Sequence, residues 1–230
     1  MPVTLNIDGG ELETETDELY AFADVVHVAC GGHAGDDASM DRVVRACARV
    51  GTQVGAHPSF EDREGFGRRA RKVEPGVLAR SVETQCARLI AIAKAAGVAV
   101  VSVKPHGALY HAAHAGEEEA EACIEGVVRA FGKGVSVAIV GLAGGCLERA
   151  ASSAGLHYER EAFADRGVRA DGSLVPRGEP GALIEDPALA AERARVLSTS
   201  DAVDTLCIHG DTQGSLAIAQ AVRAALGPKP

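Results

Sequence analysis

The sequence predicts an α/β fold in which seven parallel strands, separated by helices, close into a (β/α) barrel. Short apolar runs alternate with longer amphipathic segments, which is typical of parallel strands joined by helical crossovers. Polar residues follow nearly every apolar run and few precede one, as around a barrel mouth, whereas an open sheet gathers its site at one switch point. The length of 230 residues suits a single barrel domain, 1–230.

Seven apolar runs are predicted to be strands. They are Val3–Ile7, Val25–Cys30, Gln53–His57, Val98–Val103, Val135–Val140, His157–Phe163 and Asp204–His209. Apolar residues at spacings of three and four predict the helices. These are a short one at Asp17–Phe22 and longer ones at Ala38–Val50, Pro75–Ala96, Glu117–Phe131, Gly145–Ala154, Pro187–Leu197 and Ser215–Leu226. The stretch Asp165–Pro180, rich in glycine and proline, is expected to form a loop or hairpin over the site.

Composition and charge narrow the classes of function. The formal net charge of −9 argues against nucleic-acid binding, which needs basic surface. No apolar run is long enough to span a membrane, and no signal peptide is evident. The six cysteines lie at least 17 positions apart, which excludes CxxC motifs. We therefore expect a cytoplasmic protein with reduced, buried thiols and no membrane or nucleic-acid partner.

Four histidines are the leading candidates for chemistry. They follow predicted strands, next to glycine or proline, at His33, His57, His106 and His209. Imidazole can serve as a metal ligand or as a general acid and base near neutral pH. A lone loop histidine is more often a hydrogen-bonded structural residue, but four at converging strand ends favour a site. His27 alternates into the middle of the second strand, so we expect it to pack against helices or line the barrel.

Carboxylates follow the same strand ends. They are Asp8 and Glu11 after the first strand, and Glu161 and Asp165 at the sixth. Asp8 is a candidate general base or metal ligand. Asp36 and Asp211 precede helices, so helix capping is an alternative explanation for both. For Asp165, the alternative to a role in the site is a simple ion pair with Arg166.

Lys104 ends the fourth strand, where a lysine is costly to bury unless it meets an anion. A substrate carboxylate or phosphate would satisfy it, and so would a structural ion pair with Glu161 or Asp8. Arg68 and Arg69 are candidates for a carboxylate or phosphate clamp, with a solvated loop as the alternative. The sequence has no P-loop and no Gly-x-Ser-x-Gly motif, which favours attack of water on a carbonyl over covalent catalysis.

An ordered set of segments extends from residue 6 to residue 211. It comprises Asn6-x-Asp8-x-Gly10-Glu11, Val28–Asp36, Gly55–Pro58, Gly65–Arg69, Val103–Tyr110, Glu161–Arg166 and Cys207–Asp211. Each segment is a weak signal, but in this order they resemble the LamB/YcsF family. Family members usually have Asp-Leu-Asn where Thr4-Leu5-Asn6 stands here, which leaves a divergent substrate open.

The resemblance implies a barrel of the glycoside hydrolase/deacetylase type. It also implies a part in ATP-dependent 5-oxoprolinase, which opens the lactam of 5-oxoproline to L-glutamate with two further subunits. ATP would be used by the complex, and a divalent metal is an open possibility with Asp8, His33, His57 and His106 as candidate ligands. The expected catalytic residues are Asp8, His57 and His106. The expected substrate-binding residues are Asn6, Glu11, His33, Arg68, Arg69, Lys104, Glu161, Asp165 and His209.

In the hydrolytic mechanism that we expect, Asp8 activates water with help from His57 or His106. Lys104 and Arg69 would hold the substrate carboxylate or an activating phosphate. Two other functions stay open. The chain could be a stand-alone metal-dependent deacetylase or amidohydrolase, which would need no ATP, or a non-catalytic regulatory subunit, whose barrel mouth would lack converging polar groups.

Overall fold

Seven parallel strands close into a barrel in sequence order in the computed structural model, which describes residues 2–132, 134, 136–169 and 173–229. The strands are β1 (Thr4–Gly9), β2 (Val25–Ala29), β3 (Gln53–His57), β4 (Val100–Val103), β5 (Ala138–Gly141), β6 (His157–Phe163) and β7 (Thr205–His209). Closure occurs between the first and last strands, where Asn6 of β1 is aligned with Cys207 of β7. The predicted seven-stranded barrel is therefore confirmed.

Helices form the outer layer. They are a 3₁₀ helix (Asp17–Phe22), α1 (Asp37–Val50), α2 (Pro75–Ala95), α3 (Gly107–Ala115), α4 (Glu117–Phe131), α5 (Cys146–Ser153), α6 (Pro187–Leu197) and α7 (Ser215–Leu226). Within the described ranges, none of these helices combines the length and apolar character that crossing a bilayer requires. All six cysteines are buried free thiols, as expected.

Successive side chains of β1 lie in two different environments, one apolar and one polar. In β1, Leu5 and Ile7 are fully buried in the apolar core beneath the helices. Asn6 and Asp8, one position away, carry their side chains into contacts with polar groups from other strands. Because successive side chains of a strand point to opposite faces, an apolar outer face here implies a polar barrel interior.

The capping alternative is correct for Asp36 and wrong for Asp211. Asp36 precedes α1 and forms a capping box with Ser39, whose N–H donates to Asp36 Oδ1 at 2.8 Å. Helix α1 ends at Val50, and its C-cap, Gly51, takes the left-handed conformation at φ 70°. The N-cap of α7 is Gly214, three residues beyond Asp211, which forms ion pairs instead.

Helix α3 was not predicted. Pro105 and Gly107 indicate an irregular end to β4, yet α3 begins at Gly107 and ends at Ala115. A tertiary contact supports this start, because the Ala108 N–H donates to the carbonyl of Gly67 at 2.8 Å. Nine residues with a weakly amphipathic pattern give little periodic signal on their own. The predicted fifth strand begins at Val135, which lies outside the described residues, and the observed strand starts at Ala138.

Candidate active site

A network of hydrogen bonds fills the lower part of the barrel. His27 contacts Asn6 Oδ1 through Nδ1 at 3.2 Å and Ser102 Oγ through Nε2 at 3.0 Å. The neighbouring position of β3 must be glycine, since a Cβ on Gly55 would lie 2.3 Å from the His27 ring. Burial, and then the charge of Lys104, hold the pKa of His27 well below its ordinary value. His27 thus lines the barrel as a neutral structural residue.

Lys104 lies above this layer with only 2% of its surface exposed. Its Nζ is 2.6 Å from Asp8 Oδ1, 2.8 Å from Glu161 Oε1 and 3.0 Å from Asn6 Oδ1. Burial acts against its charge, but the Asp8 and Glu161 carboxylates outweigh it and raise its pKa well above the ordinary value. The structure therefore contains both structural ion pairs considered for Lys104, and a contact with substrate stays a prediction.

Glu11 and three imidazoles form a second buried cluster at the ends of β1 to β4. Glu11 Oε1 is 2.9 Å from His33 Nε2, 3.1 Å from His106 Nδ1 and 3.8 Å from His57 Nε2. The rings of His33 and His106 stack with their centroids 3.7 Å apart. Their ligand atoms all lie within 4.8 Å of one another, so these four residues could hold a metal ion.

Backbone carbonyls determine which imidazole nitrogens of this cluster carry hydrogen. His57 Nδ1 lies 2.7 Å from the Lys104 carbonyl, and His106 Nε2 lies 2.9 Å from the Phe66 carbonyl. Because a carbonyl oxygen only accepts, both of these nitrogens donate. In the neutral rings, His57 Nε2 and His106 Nδ1 then carry no hydrogen. Each has a lone pair, and the two nitrogens face each other at 3.0 Å.

Lone pairs that converge in this way need a proton or a metal cation between them. Burial lowers the pKa of His33 to about 3 and also lowers that of His106, so both of these rings favour the neutral form. One carboxylate oxygen and three imidazole nitrogens are a donor set that suits zinc and similar divalent ions. The cluster contains three of the four candidate ligands expected from sequence. Glu11 completes it, while Asp8 groups with Cys207 and His209.

Asp8 joins the two clusters. Its Oδ2 is 3.3 Å from His57 Nε2, and its Oδ1 meets Lys104. Burial raises the pKa of this carboxyl, but His57 and Lys104 more than offset that effect, so the pKa lies well below its ordinary value. Asp8 is consequently ionised and correctly placed to accept a proton at the barrel mouth.

His209 at the end of β7 is oriented by Asp165. The Asp165 carboxylate accepts from the backbone N–H of His209 at 2.8 Å and lies 3.0 Å from Nδ1 of the His209 ring. Asp165 also accepts from the hydroxyl of Thr212 at 3.2 Å. The alternative in which Asp165 pairs with Arg166 is wrong, because the Arg166 guanidinium donates to backbone carbonyls instead.

These side chains surround a cavity of about 320 Å³, at the lower end of the usual size for a small-molecule site. Its lining includes the polar groups Asp8, His57, Lys104, His106, Glu161 and His209, the apolar groups Tyr110, Phe163 and Leu174, and the guanidiniums Arg68, Arg166 and Arg177. Residues 174–177 border the cavity, so the loop predicted over the site is confirmed in its described part. Isolated antiparallel bridges, Arg166 to Leu183 and Val168 to Leu174, shape this loop as a hairpin.

Some predicted site residues lie behind the lining or away from it. Asn6 supports Lys104 from below, Glu11 and His33 lie behind the other two histidines, and Asp165 lies behind His209. The side chain of Arg69 is 63% exposed and reaches toward Asp62, so the structure does not bring it into the cavity.

Sequence reasoning missed several residues that line the cavity, among them Tyr110, Arg166 and Arg177. Tyr110 donates its hydroxyl to Glu161 Oε2 at 2.9 Å, and Arg166 and Arg177 come from the loop over the site. The available signal was the position of two arginines in a segment already expected to cover the barrel mouth.

Comparison with known proteins agrees with this geometry. A profile described as "LamB/YcsF family" matches residues 3–229. The chain belongs to the LamB/YcsF family. Relatives named as the A subunit of 5-oxoprolinase are 43% identical in Streptomyces griseus, covering 96% of this chain and 94% of the relative, and 41% identical in Streptomyces avermitilis, covering 97% and 95%.

Solved structures extend the LamB/YcsF comparison to the fold. The lactam utilization protein from Thermus thermophilus is 37% identical, with a TM-score of 0.88 and coverage of 98% of this chain and 96% of that one. A family 4 carbohydrate esterase from Streptomyces lividans has a TM-score of 0.53 at 12% identity, covering 98% and 87%. At that identity the likeness concerns the barrel fold alone.

Proposed function

We propose that this chain is one subunit of an ATP-dependent 5-oxoprolinase that hydrolyses the lactam of 5-oxoproline to L-glutamate. The observation that carries the proposal is the buried pair of Asp8 and His57, 3.3 Å apart, at the edge of a cavity sized for a small molecule. The names of relatives more than 40% identical supply the substrate. The proposal includes partner subunits, as the word "subunit" in those names implies for the relatives.

The chemistry explains why ATP is needed. A lactam amide is stabilised by resonance, so water attacks its carbonyl slowly unless the carbonyl is activated. Phosphorylation of the carbonyl oxygen by ATP would provide this activation. Water then adds to the carbon, and the ring C–N bond breaks as the nitrogen takes a proton, which leaves an acyl phosphate. A second water hydrolyses the acyl phosphate to the carboxylate and free phosphate. The sequence of this chain has no P-loop, so we assign the nucleotide to the partner subunits or to a jointly formed site.

The residues have separate parts in this proposal. Asp8 takes the proton of the attacking water. Lys104 holds the Asp8 carboxylate in place, and Asn6 Oδ1 accepts from the Lys104 ammonium. The proton taken from water passes from Asp8 to His57 Nε2, 3.3 Å away, and from there to the ring nitrogen, while His106 Nδ1 lies 3.0 Å from the same His57 nitrogen. His209, oriented by Asp165, polarises the carbonyl. Glu161 holds Lys104, and Arg68 faces the substrate from the mouth.

Glu11, His33, His57 and His106 would hold a divalent cation, if one is bound, in the cluster described above. Such a cation would supply Lewis acidity toward a carbonyl oxygen or a water molecule. In that case Asp8 remains as the proton acceptor, since its Oδ2 is outside this donor set. Without a metal, Glu11 Oε1 still holds His33 and His106 in place through its contacts of 2.9 Å and 3.1 Å.

The test is ATP-dependent release of glutamate from 5-oxoproline by this chain together with its partner subunits. Asp8→Asn and His106→Ala should each lower the rate by about 100-fold or more, the usual effect of removing a general acid or base. His157→Ala, at an exposed histidine, is the matched control and should keep full rate. Full activity in both site variants would refute the assignment, and failure of the wild-type mixture to release glutamate would refute the reaction.

One observation favours a second candidate, a metal-dependent amidohydrolase or deacetylase that acts alone. The four donors of the Glu11 cluster lie within 4.8 Å of one another, and the nitrogens of His57 and His106 face each other at 3.0 Å. This candidate predicts about one divalent ion per chain by elemental analysis, and amide hydrolysis that chelators abolish and ATP does not affect. A purely regulatory subunit is less well supported, because polar side chains do converge at the barrel mouth.

A further inference from the structure

Three guanidinium groups border the upper part of the cavity, and one of them lacks a carboxylate partner among the described residues. Arg166 has 6% of its surface exposed, although it carries a permanent charge. Its Nε donates to the Ala182 carbonyl at 3.0 Å and its Nη2 to the Val175 carbonyl at 2.8 Å. In the part of the chain that the structure describes, its Nη1 has no acceptor. A buried cation in this situation is costly unless an anion completes it.

The neighbouring charges do not supply that anion. Asp165 precedes Arg166 in the chain, but its oxygens are occupied by His209 and Thr212. Asp211 uses one oxygen, Oδ2, for both Arg68 at 2.5 Å and Arg177 at 3.1 Å. Burial, and then the like charge of Arg177, lower the pKa of Arg166, which indicates that its surroundings disfavour its charge.

The lower charges of the cavity are already balanced. Lys104 lies between Asp8 and Glu161, so it has no charge left for a ligand. The surplus of positive charge is therefore at the mouth, in a protein whose net charge is −9. Arginine presents a planar pair of donors that matches a carboxylate, which a lysine does not.

An apolar surface lies directly beside the guanidiniums. Tyr110, Phe163 and Cys207 form a small buried cluster, against which Leu174 packs. Tyr110, Phe163 and Leu174 also line the cavity. A ligand that fits here combines an anionic group at the mouth with an apolar ring of a few methylenes below it.

We propose that Arg166, with Arg177 and Arg68, forms the site that binds the carboxylate of the substrate, and that this chain selects small cyclic amides bearing such a carboxylate. The inference rests on the proposed function for the identity of the ring, and it assigns the anion to these three residues instead of Lys104 and Arg69. Asp211 is a positioning residue in this site, because it holds Arg68 and Arg177 side by side.

The experiment compares two ligands that differ only in the carboxylate. Binding of 5-oxoproline and of 2-pyrrolidinone to the full chain is measured by titration calorimetry, with inorganic phosphate as a third ligand. Wild type should bind 5-oxoproline at least about tenfold more tightly than 2-pyrrolidinone, since an ionic bidentate contact is worth about that much or more. Phosphate should compete with 5-oxoproline only weakly, and phosphate binding that is tighter than 5-oxoproline binding would overturn the carboxylate assignment.

Two variants test the residues, and one serves as a control. Arg166→Lys keeps the charge but loses the planar donor pair, and Arg177→Ala removes the second guanidinium. Each should weaken 5-oxoproline binding by about tenfold or more and leave 2-pyrrolidinone binding unchanged. Arg169→Ala is matched to them, because Arg169 lies in the same loop but is exposed and paired with Glu179 at 2.7 Å, and it should change neither.

Outcomes for this site and for the reaction are separable. Wild-type affinity for 5-oxoproline in both variants, or equal losses for the two lactams, overturns the carboxylate site, as does a wild-type chain that binds neither lactam. Loss of glutamate release in the wild-type complex, with discrimination by carboxylate intact in the isolated chain, would instead overturn the reaction alone. Circular dichroism at the titration temperature checks that each variant is folded. Arg177→Ala, at a partly exposed side chain, keeps the test decisive if Arg166→Lys unfolds.

Discussion

Replacing Lys104 by methionine tests whether the charged centre of the barrel is a structural element. The Lys104 ammonium lies 2.6 Å and 2.8 Å from two buried carboxylates, those of Asp8 and Glu161. At an effective dielectric constant of about 20, each contact is worth about 6 kcal/mol before desolvation is counted. The burial of the ammonium offsets several kcal/mol of this. Methionine fills a similar volume but leaves two carboxylates facing each other.

The expected loss in the free energy of unfolding is about 3–5 kcal/mol, the usual cost of removing one partner from a buried ion pair. Urea denaturation followed by circular dichroism measures it. Lys94→Met, at an exposed lysine of α2, is the matched control and should change stability by less than about 0.5 kcal/mol.

A double variant separates charge from packing. Adding Glu161→Gln to Lys104→Met removes one of the two uncompensated carboxylates, so it should recover part of the loss. The reasoning would be refuted by a Lys104→Met loss below about 1 kcal/mol, or by strictly additive losses in the double variant. Either result would mean that the ion pairs of Lys104 with Asp8 and Glu161 do not stabilise the fold as argued.

Three further predictions concern the scaffold. Gly67→Ala should cost more than Gly51→Ala, although both glycines have positive φ, because a Cβ at Gly67 would lie 2.8 Å from His33 Cβ and one at Gly51 meets nothing within 4 Å. Thermal unfolding should show a difference of about 1–3 kcal/mol, and equal losses would contradict the packing argument. Asp36→Ala should cost about 1 kcal/mol by loss of the α1 capping box, measured in the same way. Hydrogen bonds from an arginine hold the pKa of Asp204 below its ordinary value. Its ionised form therefore adds stability above the unfolded pKa of about 3.9, which is lost as pH falls. Asp204→Asn should cost about 1 kcal/mol at neutral pH after solvent screening and progressively less below about pH 4, and a constant difference would contradict this.

The seven-stranded barrel could be predicted because four of its strands are followed by a local signature. An apolar run followed by a histidine and glycine or proline needs no knowledge of distant contacts. Helix α3 lacked such a signature, since its first turn is supported by the carbonyl of Gly67, about forty residues earlier in the chain. The prediction that residues 1–230 form one domain stays a prediction.

The candidate site was predictable in its residue types but not in its pairings. Asp8, His57 and His106 converge as expected, because they share the carboxyl end of parallel strands. Sequence spacing does not reveal that Glu11, and not Asp8, completes the histidine cluster, since this depends on the turn that follows β1. The sequence also provides no reason to distinguish Arg68 from Arg69, whereas of the two only Arg68 faces the cavity.

The seam between the first and last strands has a consequence for synthesis of the chain. Asp8 lies on β1, but the groups that surround it come from as far as His209 on β7, and Asn6 donates to Thr205 at 2.9 Å across the seam. A growing chain that has made β1 to β4 already contains the charges of Asp8 and Lys104 but no closed wall around them. Ribosomes add about 5–20 residues per second, so this open edge persists for several seconds before β7 appears. Until the last strand is made, water must solvate the charges of Asp8 and Lys104.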